Sequence, residues 1–147
     1  MFKNPYVKNI LYALAVAFFG FVLLNLTFIF DFFIHSLIAL FFPSINRWLP
    51  QMKHIIFVIT IILISLLVFK SKLRELFKAI YLTVPLMVIF SDIEIFLYGY
   101  PILTYSVNCL ILLIIVFYFY INKKSWIYYY SAILVASVLL IMNLFSK

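Results

Sequence analysis

The chain has 147 residues, a net charge of +7 and a hydrophobic fraction of 69%, with only 10% charged residues. An ordinary globular domain is about half apolar, so this composition excludes a conventional soluble fold. The single cysteine excludes an intramolecular disulfide. Two glycines, Gly20 and Gly99, are too few to build a GxSxG, GxGxxG or phosphate-cradling loop.

Five apolar runs fill the length, at residues 9–30, 54–69, 79–100, 102–121 and 127–145. A bilayer's hydrocarbon core takes about 20 helical residues to cross. The runs are continuous instead of alternating apolar with polar residues, which argues for helices and against barrel strands. The expectation is therefore all-α: a polytopic membrane bundle of five spans, forming one transmembrane domain over residues 1–147.

Lys3 and Lys8 precede the first run, whose Ala13, Ala15 and Ala17 resemble a signal-peptidase site. The run continues to Phe30, as an uncleaved first span would. Asn25 and Thr27 are its polar members, and Asn25-Leu26-Thr27 matches a glycosylation acceptor but lies within the membrane run. Next, the apolar stretch Phe32 to Phe42 has eleven residues, enough for about 16 Å of helix. That is too short to cross, so residues 32–49 are expected to form an interfacial or re-entrant helix, with Pro43 and Pro50 bracketing Asn46 and Arg47. A sixth span here is the alternative, and it would put Lys70 to Lys78 outside.

Asp31 and His35 are four apart and share a helical face, a spacing that suits a carboxylate steering a histidine tautomer. His54 is the only other histidine, and neither HExxH nor a Cys/His cluster occurs. The pair therefore reads as an interfacial polar face, with no metal. The second run carries Thr60. After it, the segment from Lys70 to Lys78 sets Leu73, Leu76 and Phe77 among its charges and reads as an interfacial turn against anionic lipid, with Glu75 compensating Arg74 or Lys72. A docking site for a cytoplasmic partner is the alternative.

The third run carries two intramembrane carboxylates, Asp92 and Glu94, which are costly in lipid and mark functional candidates. Asp92 lies about 21 Å along the axis from Lys78, and the two carboxylates point about 200° apart. One face cannot present both. Tyr81 shares a face with Asp92, and Tyr98 with Glu94, unless a break near Ser91 or a kink at Pro85 intervenes. Asp92 is expected either to serve a ligand or to be settled by Arg47, Lys53 or polar groups on neighbouring helices.

In the fourth run Thr104 and Asn108 face the same way, and Cys109 is expected to pack as an apolar thiol. With Asn25, Thr27, Thr60 and Asn143 they make either an outward-opening polar pocket or a dry set of interhelical hydrogen bonds. Ala13 with Ala17, and Ala132 with Ala136 in the fifth run, are small-residue pairs that suggest packing of the first and last spans, within one chain or between copies.

Cationic loop residues are retained at the cytoplasmic face. With the N-terminus inside, eight of them fall there (Lys3, Lys8, Lys70, Lys72, Arg74, Lys78, Lys123 and Lys124), and three outside (Arg47, Lys53 and Lys147). This division predicts N-inside, C-outside in a bacterial-type cytoplasmic membrane. Attraction to anionic inner-leaflet lipids then accounts for the net charge without a nucleic-acid partner. Aromatic residues agree with this frame: Trp48, Tyr98 and Tyr100 near one boundary, Tyr118, Tyr120, Trp126 and Tyr128 to Tyr130 near the other.

With no catalytic or cofactor motif visible, the leading expectation is a non-enzymatic accessory subunit that contacts another membrane protein or a copy of itself. The second is a small-solute or ion carrier, or its binding component, using Asp92 with Asn108, Glu94 and Asn25. The third is an intramembrane or lipid-modifying enzyme around Asp31, His35, Asp92 and Glu94.

Overall fold

The computed structural model describes residues 5–41 and 50–145, with side chains described for 5–41 and 54–142. Lys3, Pro43, Asn46, Arg47, Trp48 and Lys147, and the side chains of Lys53 and Asn143, lie outside the described residues. All regular structure among those residues is helical: α1 (Pro5–Phe41), α2 (Pro50–Lys70), α3 (Glu75–Phe96), α4 (Pro101–Ile121) and α5 (Trp126–Phe145). Three of the five, α1, α3 and α4, are long and apolar enough to cross a membrane, and α2 and α5 add the shorter apolar stretches His54–Lys70 and Trp126–Met142.

The expected separate helix after the first span does not begin where the charge at Asp31 suggests. Helix α1 continues unbroken for 37 residues, through Asp31 to Phe41. Between Phe21 and Phe41 there is no glycine or proline to stop it, and its polar side chains bond to their own helix. Asn25 donates to Phe21 O at 2.8 Å, Thr27 to Leu23 O at 2.7 Å and Ser36 to Phe32 O at 2.9 Å. As far as Phe41 the apolar stretch is thus an extension of an existing helix, which needs no new nucleation. Likewise α3 runs through Pro85 and Ser91 to Phe96 without interruption.

Helix α3 occupies the centre. Its buried positions include Ala79, Ile80, Leu82 to Val88, Phe90 and Asp92, so nearly every face of it meets a neighbour. One apolar cluster joins Val16 and Leu24 of α1, Leu86 and Phe90 of α3, and Val135 and Leu139 of α5. A second joins Phe57 and Ile61 of α2 to Val84 and Val88 on another side of α3. Helix α4 is peripheral, with only Thr104 and Phe119 buried.

Two close approaches hold the helices around α3. At Gly20 of α1, a Cβ would meet Thr83 Cγ2 at 3.1 Å, so the missing side chain is what lets α1 sit against α3. On the other side Ser131 Oγ of α5 lies 2.8 Å from Ala79 O and 2.9 Å from Ile127 O, with Ala79 and Ala132 fully buried beside it. Ala132 therefore packs α5 within the bundle, and Gly20 gives α1 its close approach to α3.

Glu75 opens α3 and accepts a 2.6 Å hydrogen bond from Tyr128 Oη at the start of α5. The structure assigns this carboxylate to a phenol instead of Arg74 or Lys72. Lys78 turns back to donate to Phe69 O at 2.9 Å, satisfying a carbonyl at the end of α2. Tyr128→Phe should lower the thermal midpoint by an amount equivalent to about 1–2 kcal/mol, since the bond is charge-assisted and Tyr128 is buried. An unchanged midpoint would mean that the bond contributes nothing to the α3–α5 contact.

Candidate functional site

At the end of the bundle opposite Glu75, three helices bring ionisable side chains together. Asp31 and His35 stand one turn apart near the end of α1, and the α1–α2 reversal sets His54, in the first turns of α2, beside them. Asp92 arrives from α3, in its last two turns. His35 Nε2 lies 3.4 Å from Asp31 Oδ1, and His54 Nδ1 lies 3.8 Å from Asp92 Oδ1. The two imidazoles meet edge to face with centroids 5.2 Å apart and planes at 88°. A continuous series of titratable groups results: Asp31, His35, His54, Asp92.

Both aspartate–histidine distances are ion-pair distances, longer than an aligned hydrogen bond. Asp92 is buried, and its Oδ2 has no hydrogen-bond partner among the described residues. The cluster borders a cavity of about 90 Å³ walled by Asp31, His54 and Asp92 together with Thr27, Phe57 and Ser91, room for a few water molecules or a small ion. Two carboxylates and two imidazoles in largely apolar surroundings carry negative charge when the carboxylates are ionised and the histidines neutral. A bound cation or added protons would offset it. Among the described residues no group of three or more His, Cys, Asp or Glu is placed to hold a metal ion.

Glu94 goes elsewhere. As the 200° separation requires, it faces the other side of α3, into a cavity of about 320 Å³ between α3, α4 and α5, which Asn108 and Cys109 also line. The grouping of Asp92 with Asn108 and Glu94 is therefore not formed, because the body of α3 stands between them. Asn25 is exposed on α1 and bonds its own helix, so it joins neither cavity. Cys109, expected to be packed, is exposed.

The hydroxyls expected to line a common pocket are mostly settled within their own helices. Thr60 donates to Ile56 O at 2.8 Å, and Thr104 Oγ1 lies 3.1 Å from Tyr100 O and 3.3 Å from Leu97 O. Interhelical polar contacts do occur: Ser65 Oγ lies 3.3 Å from Tyr81 Oη, which puts Tyr81 on the same α2-facing side of α3 as Asp92.

His54 is the residue that spacing alone did not bring into the site. Its signal was topological: an antiparallel α1–α2 pair returns the beginning of α2 to the end of α1, where Asp31 and His35 lie. No family model, curated protein or solved structure matches the chain, so geometry carries the functional argument.

Proposed function

We propose that the chain is a multi-pass membrane protein that binds a small monovalent cation or cationic solute, in exchange for protons, at the Asp92 cluster. It is the membrane component of a carrier, or a carrier by itself. The observation that carries this reading is the convergence of Asp31, His35, His54 and Asp92 from three helices, with Asp31, His54 and Asp92 walling one cavity. Ionisable groups within membrane-spanning helices are costly in lipid and often mark paths of ion or proton traffic. When the histidines are protonated they neutralise both carboxylates. When they are neutral, the cavity holds uncompensated negative charge that a cation can occupy. Cation and proton then compete, and by reciprocity each weakens the other's binding.

Five crossings, with the N-terminus at the cytoplasmic face of a bacterial-type membrane, fit this reading. Lys70, Lys72 and Arg74 are exposed at the Glu75 end, where anionic inner-leaflet lipids would meet them. The Asp92 cluster then opens toward the outside. In a Cys109→Ala background, Ser71→Cys should react with an impermeant maleimide in inverted vesicles and stay unlabelled in intact cells; the opposite pattern reverses the orientation.

The binding reading is tested with purified protein in nanodiscs, scanning the thermal midpoint with Na⁺, K⁺ and methylammonium at constant ionic strength. Saturation of about 100 Kd stabilises by about 2.7 kcal/mol, or about 5–10 °C for a chain of this size. The rise should shrink on acidification. If none of the three raises the midpoint, the cluster is not a site for a small monovalent cation.

The accessory-subunit reading is second, and α1 is what favours it. Its 37 residues measure about 55 Å, well beyond a hydrocarbon core of about 30 Å. Only 17% of its most apolar window is buried within the chain, leaving a long face for another helix. Native mass spectrometry after gentle extraction separates the cases: a stoichiometric membrane partner supports the subunit role, and a solitary chain removes it.

A further inference from the structure

We infer that the cavity between α3, α4 and α5 is a second binding site, for a lipophilic amine with an apolar body and a single ammonium head. The site lies on the side of α3 away from Asp92, so it stands independently of the cation-binding proposal. Its volume of about 320 Å³ falls within the range of small-molecule pockets. Phe90, Leu112, Leu139 and Leu140 supply apolar walls. Against them stand the carboxylate of Glu94 and the amide of Asn108, whose Oδ1 is buried with no hydrogen-bond partner among the described residues.

The polar lining thus offers a negative charge and an open acceptor. An occupant that brings positive charge and N–H donors complements both, because opposite charge suits the carboxylate and a buried amide acceptor left open loses the hydration it had in water. An alcohol of the same shape can satisfy the acceptor alone, and a carboxylic acid would set its own charge against Glu94. The head group is therefore what the site selects, while the walls accept any compact apolar body.

Cys109 lines the same cavity and is exposed, so its alkylation rate reports occupancy. The probes are 4-phenylbutylamine, 4-phenylbutanol and 4-phenylbutyrate, matched in body and different in head, applied to the full chain in nanodiscs. The amine should slow maleimide labelling of Cys109 about fivefold or more, and the alcohol and the acid less than twofold. Glu94→Gln should bring the amine down to the level of the alcohol. Asn108→Leu should weaken amine protection without lowering the thermal midpoint, because it removes an open acceptor. Asp92→Asn should leave protection intact, which keeps this site separate from the cation site. Equal protection by all three heads would show a cavity that takes any apolar chain, and no protection by the amine would show no site; either result overturns the inference.

Discussion

Asp92→Asn should abolish cation-dependent stabilisation while leaving the ligand-free protein as stable as before or more so. The amide has the shape of the carboxylate, so the walls of the cavity stay in place. What is lost is the charge that faces His54 at 3.8 Å and the cavity itself. A several-degree rise with the stabilising cation should fall to within about 1 °C, corresponding to a loss of about 2 kcal/mol or more in binding. Without cation, the midpoint should hold or climb by a few degrees, because the amide has no charge to be desolvated in the buried position that Asp92 occupies. Glu94→Gln, on the far side of α3, should leave the cation response unchanged. A full response in Asp92→Asn would reject the site assignment, even if binding itself were real.

Gly20→Leu should be the most damaging single change in the bundle. Any Cβ at this position sits 3.1 Å from Thr83 Cγ2 and 3.3 Å from Thr83 Oγ1, and Thr83 is fully buried with its hydroxyl donating to Ile80 O at 2.8 Å. The threonine cannot swing away without giving up that bond. A leucine adds three more carbons in the same direction, so α1 must move off α3 and loosen the packing of Val16 and Leu24. Overpacking of this kind costs about 1–3 kcal/mol, more where backbones touch, and should lower the midpoint by about 6 °C or more.

Because α1 also carries Asp31 and His35, the same substitution should widen the cluster and blunt the cation response. Gly20→Ala is a milder case: the contact needs only a few tenths of an ångström of adjustment, and alanine's better helix propensity, about 1 kcal/mol, offsets it. Thr83→Ala in the leucine background should recover part of the loss. An unchanged midpoint in Gly20→Leu alone would show that α1 and α3 are not held at this separation.

What the sequence by itself determined is everything that depends on a residue's place along one helix. The continuous apolar runs imply helices, and turns near Gly99 and Lys123, which take positive φ of 96° and 47°, divide them. The rotation of about 100° per residue put Asp92 and Glu94 on opposite sides of α3, set Tyr81 on the side of Asp92, and stacked Asp31 under His35. These relations need no neighbour to be true, because helical geometry is set by the chain's own backbone hydrogen bonds.

Only the tertiary structure decided which helices meet and what fills the space between them. It made α3 central, through glycine at position 20 and alanines at 79 and 132. It added His54 to Asp92, gave Asn108 to Glu94, and carried α1 through the charge at Asp31. Hydropathy is lower in α3 than in α1 or α4, but it does not say which helices are neighbours or which faces meet. The difference lies in side-chain volume at a few crossing points, and that is expressed only once two helices touch.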